Sequence, residues 1–207
     1  MTFFPIKLWA SLERGTPKRL QTRRRHPNMA LACGEHFSAV VTNSGHIFAW
    51  GKGDYAQLGL STYEHKCFPS SINIPARLHS VAAGRLHAIA VAKDGALWVW
   101  GSNNYCQLGQ ADKQSSLKPT PLDKVVFGGA TVAMADCGER HTVAITADGG
   151  VWTFGQNNVG QLGHGDTSHR NQPFRVTAQS FQDSKIVKVA AGAFHNVAMC
   201  IQVSFNI

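Results

Sequence analysis

The chain of 207 residues is 43% hydrophobic and 15% charged, a composition that can build a packed core and excludes an intrinsically disordered chain. Its net charge of +8 is unevenly spread: residues 1–32 hold seven basic and one acidic side chain, leaving thirteen against eleven for the rest, which excludes a nucleic-acid binder that uses its whole surface. Five widely spaced cysteines without a Cys-x-x-Cys pair, and the lack of an apolar run long enough to cross a bilayer, predict reduced thiols in an intracellular protein of cytoplasm or nucleus with no membrane association.

The first element, residues 1–28, is a basic segment carrying Arg14, Lys18, Arg19, Arg23, Arg24 and Arg25. Three readings are open. A solvated arm would contact nucleic-acid phosphates through Arg19, Arg23, Arg24 and Arg25. An Arg-rich, acid-poor leader with Phe3, Phe4, Leu8 and Trp9 would address a mitochondrion. The third reading is sequence contributed by an imperfect gene prediction.

From residue 29 to 207 the chain is repetitive. A 27-residue pattern recurs without gaps at 33–59, 83–109 and 137–163, and a fourth copy opens at 191–200; the starts are 50, 54 and 54 residues apart. Identical columns are Gly34/Gly84/Gly138, Gly45/Gly95/Gly149, Gly51/Gly101/Gly155, and the closing Gln57-Leu58-Gly59, Gln107-Leu108-Gly109 and Gln161-Leu162-Gly163; Gly192 begins the fourth set. Short apolar runs at 29–32, 80–83, 132–135 and 186–190 predict a first strand in each unit. Residues 87–92 and 141–146 predict a second strand, ending at Asp94-Gly95 and Asp148-Gly149, where a two-residue primed turn with positive φ at both positions is expected. Ser44-Gly45 is the equivalent in the first copy. Returning strands at 47–50, 97–100 and 151–154 are apolar on both faces, as strands between layers are. Pro69, Pro75, Pro119, Pro121 and Pro173 fall in the variable linkers, where an edge strand or turn tolerates a missing N–H. A 50-residue unit of short strands that cannot bury both faces alone predicts an all-β fold, a partial β-propeller of three blade repeats plus the start of a fourth.

His87, His141 and His195 share a column and are expected to form buried hydrogen bonds between neighbouring blades rather than to bind metal, because ring-related positions do not converge on one ion. His36, His46, His65, His79, His164 and His169 read as surface residues. The glycine-rich run from Gly155 to Gly165 lacks a Lys-Ser/Thr ending, so a phosphate cradle is not expected, nor is any cofactor. Asp94, Asp148 and Asp166 read as turn formers, Trp50, Trp98, Trp100 and Trp152 as packing residues, and Cys33 and Cys137, which share a column, as packing residues too. The sequence offers no catalytic residue.

The third copy, through Cys137, Gly138, His141, Thr142, Asp148, Gly149, Val151, Gly155, Asn157, Gly160, Gln161, Leu162 and Gly163, resembles the repeat of the regulator of chromosome condensation family. Departures are Phe37 in the histidine column, Ala56 and Cys106 in place of the glycine before Gln-Leu-Gly, and Val203 where the fourth copy would carry its turn glycine. The resemblance implies a seven-bladed propeller of four-stranded blades, which would need roughly 350–380 residues. The chain is therefore expected to be a fragment, a truncated or spliced product, or an arc completed by self-association or by a partner. A light-sensing member of the family carries Gly-Trp-Arg-His-Thr where this chain reads Gly138-Glu139-Arg140-His141-Thr142, so light sensing is not expected.

The expected function is a non-catalytic scaffold that binds a protein partner, with specificity in linker segments 63–74, 110–124 and 165–182. The resemblance also implies two alternatives. One is guanine-nucleotide exchange on a Ran-like small GTPase at chromatin. The other is a partner-binding propeller segment of a larger ubiquitin ligase or kinase.

Overall fold

The computed structural model describes residues 30–177 and 184–202; the basic segment, with Arg19, Arg23, Arg24 and Arg25, lies outside them. The described chain is all-β apart from one 3-10 turn. Its strands are β1 (Ala30–Cys33), β2 (Phe37–Val41), β3 (Ile47–Gly51), β4 (Lys66–Ile72), β5 (Leu78–Ala83), β6 (His87–Ala92), β7 (Leu97–Gly101), β8 (Ser116–Leu122), β9 (Val132–Cys137), β10 (His141–Thr146), β11 (Val151–Gly155), β12 (Arg170–Arg175), β13 (Ser184–Ala191) and β14 (Asn196–Gln202). They pair antiparallel in three four-stranded meanders, β1–β4, β5–β8 and β9–β12, and a two-stranded sheet, β13–β14. These are three propeller blades and half of a fourth.

The linkers contain more structure than free loops would. Each supplies its blade's outermost strand, β4, β8 or β12, and in each the register against the returning strand jumps just before the aromatic-glycine end: Ala49 faces Ser70 and Gly51 faces Lys66, Val99 faces Thr120 and Gly101 faces Ser116, Thr153 faces Phe174 and Gly155 faces Arg170. Pro69, Pro119 and Pro173 each fall inside that bulge. An outermost strand with a bulge is where a residue without an N–H is tolerated.

The hairpin turns differ from the expected primed form. Gly95 donates to Ala92 O at 2.9 Å and Ala92 donates to Ala96 O, so the loop has three residues, Lys93-Asp94-Gly95; of these only the glycine is left-handed, at φ +82°. Thr42–His46 and Thr146–Gly150 repeat the arrangement. This is a type I turn closed by a left-handed glycine, in which the aspartate stays in ordinary φ space and caps the turn: Asp94 Oδ1 accepts from Ala96 N at 3.1 Å, and Asp148 Oδ1 from Gly150 N at 3.3 Å. Asp166 does the same for Ser168 N at 2.9 Å.

The core lies between blades. Ala39, Val41, Ile47 and Leu58 of the first blade pack against Leu78, Val81, Ala88, Ala90 and Trp100 of the second. The second blade's Ile89, Val91, Leu97 and Leu108 meet Val132, Ala135, Ala144 and Phe154 of the third, whose Val143 and Ile145 meet Ile186 and Val189. Strands apolar on both faces are thus explained: each sheet is sandwiched by its neighbours.

Candidate functional site

The conserved-looking columns of the repeat assemble the seams between blades. At the turn end, Leu78 N donates to Gly45 O at 3.1 Å and Val132 N to Gly95 O at 2.9 Å. At the opposite end each glutamine of the Gln-Leu-Gly trio braces its own turn, its Oε1 accepting from Tyr55 N, Tyr105 N or Val159 N at 2.8, 2.9 and 3.1 Å. Its backbone carbonyl is offered to the next blade. Gln57 O accepts from Trp100 Nε1 at 3.0 Å, Gln107 O from Thr142 Oγ1 at 2.8 Å, and Gln161 O from Asn196 Nδ2 at 2.8 Å.

Three donor chemistries thus satisfy one acceptor position, and they arise from two columns. Where the aromatic column holds Trp100, the indole donates and the neighbouring position can be Ala88. Where it holds Phe154, which has no donor, a hydroxyl from Thr142 takes over. Trp100→Phe should therefore strand a buried carbonyl and cost about 1–3 kcal/mol, read as a lower urea midpoint with unchanged slope; no measurable change would mean that the carbonyl is satisfied otherwise.

The histidine column completes the seams. His87 Nε2 lies 3.2 Å from Thr142 Oγ1, and His141 Nε2 lies 3.0 Å from Asn196 Oδ1. Thr142 spends its single hydroxyl proton on Gln107 O and Asn196 presents its amide nitrogen to Gln161 O, so each must accept from the imidazole: both histidines carry their proton on Nε2. Both are fully buried, and burial holds both pKa values below the ordinary range, His87 down to about 3. Each ring lies over the glycine three residues before it, and Phe37 lies over Gly34 in the same way. His195, between β13 and β14, is exposed. No three His, Cys, Asp or Glu side chains among the described residues are grouped to hold a metal ion. No helix among them is long and apolar enough to cross a membrane.

The remaining minor histidines are not all surface residues. His164 is half-buried, its Nε2 2.9 Å from Thr153 Oγ1 and its ring edge-on to Phe174. Cys33 and Cys137 also part company: Cys33 is exposed, whereas Cys137 is buried between blades, which pushes its thiol pKa well up.

What the seams leave open is the axial mouth. The first-glycine column brings Cys33-Gly34-Glu35, Ala83-Gly84-Arg85, Cys137-Gly138-Glu139 and Ala191-Gly192-Ala193 around a cleft of about 550 Å³. A backbone ladder circles it, from Glu35 N to Arg85 O, Arg85 N to Glu139 O and Glu139 N to Ala193 O. Arg85 bridges three blades: its Nε is 2.8 Å from Glu35 Oε2 and its Nη1 2.9 Å from Glu139 Oε1. Its hydrogen bond draws the Glu35 carboxyl below the usual range. One step outward, Arg140 donates to Tyr105 Oη at 2.9 Å and stacks 4.7 Å over that ring. In the columns of this pair stand exposed Tyr55 and Val159, and His36, half-buried Leu86 and exposed Phe194. Sequence reasoning missed this rim, because its residues differ from copy to copy; the signal was the column position, next to the invariant glycine and before Gln-Leu-Gly.

The sequence profile of the RCC1-like domain matches residues 7–204. The chain belongs to the RCC1-like domain family. It is 35% identical over 171 residues to the ultraviolet-B receptor UVR8 of Arabidopsis thaliana, covering 82% of this chain and 38% of the receptor. It is 31% identical over 187 residues to human E3 ubiquitin-protein ligase HERC2, covering 88% of this chain and 4% of the ligase. Among solved structures, Prp20p of Saccharomyces cerevisiae, described with its binding properties to Gsp1p and histones, superposes with a TM-score of 0.76 at 21% identity over 84% of this chain and 44% of Prp20p. The chain thus spans less than half the length of each of these relatives. The fold they share with it is the RCC1-like β-propeller.

Proposed function

We propose that the chain is a non-catalytic docking module whose partner protein sits on the rim of the axial mouth. The observation that carries this reading is the division of labour among the repeat columns. Glycine, histidine and Gln-Leu-Gly positions are consumed in the seams, while Tyr55, Tyr105, Arg140, Val159 and Phe194 vary and face outward around the Glu35–Arg85–Glu139 chain. Aromatic residues and arginine over a polar, charge-paired centre are the composition of binding hot spots. A photo-crosslinking residue at Tyr55 or Tyr105 should yield the same partner adduct from cells. One at Val125, which is 72% exposed in the 3-10 turn Lys124–Phe127 before β9 and so at the turn end of the blades, should not. Adducts that form only from Val125 would move the docking face to the other end.

A second reading is regulation of a small GTPase, favoured by the superposition on Prp20p, which binds Gsp1p. Here the rim would receive the GTPase, and faster release of labelled nucleotide from a Gsp1p-like GTPase in the presence of the chain is the expected result. Unchanged release at micromolar chain concentration would remove this reading and leave the docking module standing. The arginines of residues 1–28 would add phosphate contacts in a chromatin setting, seen as salt-dependent DNA retention that is lost on deleting them. A role as the partner-binding segment of a larger ligase is the remaining alternative, suggested by the likeness to HERC2.

A further inference from the structure

The two seams that join complete blades differ on the rim. Three columns meet there: the residue two places before the Gln-Leu-Gly glycine's partner leucine, the residue just before the histidine column of the next blade, and the residue whose side chain accepts from the first backbone N–H of that blade's closing turn. Between the first and second blades they hold Tyr55, Leu86 and Ser115, with Ser115 Oγ accepting from Asn103 N at 3.3 Å. Between the second and third blades they hold Tyr105, Arg140 and His169, with His169 Nδ1 accepting from Asn157 N at 3.0 Å. Only the second of these seams carries a cation.

Counting donors against acceptors there leaves donors over. Arg140 gives one Nη1–H to Tyr105 Oη at 2.9 Å, lays its Cζ 4.7 Å from that ring's centroid, and turns Nε toward Glu139 Oε1 at 3.4 Å. Glu139 is shared, since its Oε1 also takes Arg85 Nη1 at 2.9 Å. The Nη2 amino group of Arg140 has no acceptor among the described residues. Tyr105 Oη accepts from Arg140, so its own proton remains to be donated. The neutral His169 ring carries its proton on Nε2, because Nδ1 is an acceptor; it is exposed and stands edge-on to Tyr105 with centroids 6.0 Å apart. Stack and hydrogen bond hold the guanidinium in place, so little side-chain freedom is lost when it takes a ligand.

We propose that the seam between the second and third blades takes a carboxylate from the partner, an Asp or Glu side chain of an acidic peptide segment, on Arg140, with the Tyr105 hydroxyl and His169 Nε2–H beside it. This rests on the docking reading above and gives its partner a chemistry. A planar guanidinium with a donor pair left over matches a carboxylate in fork geometry. A polyphosphate strand fits less well, because Glu35, Asp54 and Glu139 alternate with Arg85, Lys52 and Arg140 along the rim and would repel it. One seam along, exposed Tyr55 and half-buried Leu86 offer no cation and receive an apolar side chain. The segment therefore presents acidic and apolar residues on one side, and a Lys or Arg in place of the acid is rejected by Arg140.

The probe is a library of random dodecapeptides displayed on phage and panned on the whole 207-residue protein, with enriched peptides then synthesised and titrated by fluorescence anisotropy. Enriched peptides are expected to share an Asp or Glu. Replacing that acid by its amide should weaken binding about tenfold, Arg140→Gln in the protein should do the same, and the two together should cost no more than either alone, as for a direct pair. Arg140→Lys, which keeps the charge without the fork, should recover part of the loss, and it serves as the variant if Arg140→Gln shifts the urea midpoint. Peptides lost on Tyr55→Ser that carry no acid, or losses that simply add in the cycle, would overturn the carboxylate assignment and leave the docking rim standing. Enrichment of no peptide sensitive to Tyr55→Ser or Arg140→Gln would overturn both.

Discussion

Gly84→Ala is expected to abolish cooperative folding or to lower stability by roughly 3 kcal/mol or more, a change at the upper end of single substitutions. The new Cβ would sit 2.3 Å from His87 Cε1 and 2.5 Å from Gly138 O. The imidazole cannot retreat without leaving Thr142, and the carbonyl belongs to the next blade's backbone, so the seam itself must open. Gly138→Ala drives a Cβ to 2.0 Å from His141 Cε1 and should behave alike. Urea unfolding of both variants checks this; a loss below about 1 kcal/mol would mean that the blades slide apart at little cost and that the seams do not hold the arc together.

The second large effect is a dependence of stability on pH. Burial lowers the His87 pKa to about 3 and also lowers that of His141, while the unfolded chain titrates near the ordinary 6.5. The unfolded state therefore takes up these protons first as pH falls. Stability is fully present above about pH 6.5 and drains as pH drops from there toward 3, by up to about 1.4 kcal/mol per pH unit for each histidine that stays neutral in the fold. The carboxylates of Asp148 and Asp166, held below their usual range chiefly by side-chain hydrogen bonds from Thr146 and Arg170, add a further loss only near pH 4 and below. Between pH 6.5 and 5 the slope thus belongs mostly to the histidines. Burial also holds His79 and His164 below the ordinary range, so His87→Phe should lower the slope without abolishing it; Phe37 shows that this fold accepts a phenyl ring over the same glycine, and Thr142 keeps its bond to Gln107 O. An unchanged slope would mean that His87 is already protonated in the folded state.

The arc of blades was legible in the sequence because each column does one job in every copy. Gly34, Gly84 and Gly138 recur because a backbone carbonyl or a ring lies where a Cβ would be, and Gln57, Gln107 and Gln161 recur because each braces a turn with its side chain. The outermost strands were harder to see: Lys66–Ile72, Ser116–Leu122 and Arg170–Arg175 are polar, half-exposed and broken by proline. Yet Pro69, Pro119 and Pro173 all stand eighteen residues after Gly51, Gly101 and Gly155, a column that marks the bulge.

The turn type was misread because Asp-Gly fits two geometries, and only the 2.9 Å bond from Gly95 N to Ala92 O separates them. The seam donors escaped notice for another reason. Trp100 stands in one column and Thr142 and Asn196 in another, since the same carbonyl is reached from either of two neighbouring strands. The rim was illegible from repeat identity, because its residues differ from copy to copy. Tyr105 and Arg140 come together because the bond from Thr142 Oγ1 to Gln107 O sets the start of β10 beside the closing turn of the second blade.

The claim that the histidine column joins blades, and is not a reactive or metal-binding site, is tested most directly by nitrogen-15 NMR of the imidazoles across a pH titration. His87 and His141 are predicted to appear as neutral rings protonated on Nε2. His87 should remain so from pH 8 down to near 3, while exposed His195 gives a separate signal. Nδ1-protonated tautomers, or a His87 signal that titrates near pH 6.5 in the folded protein, would contradict it.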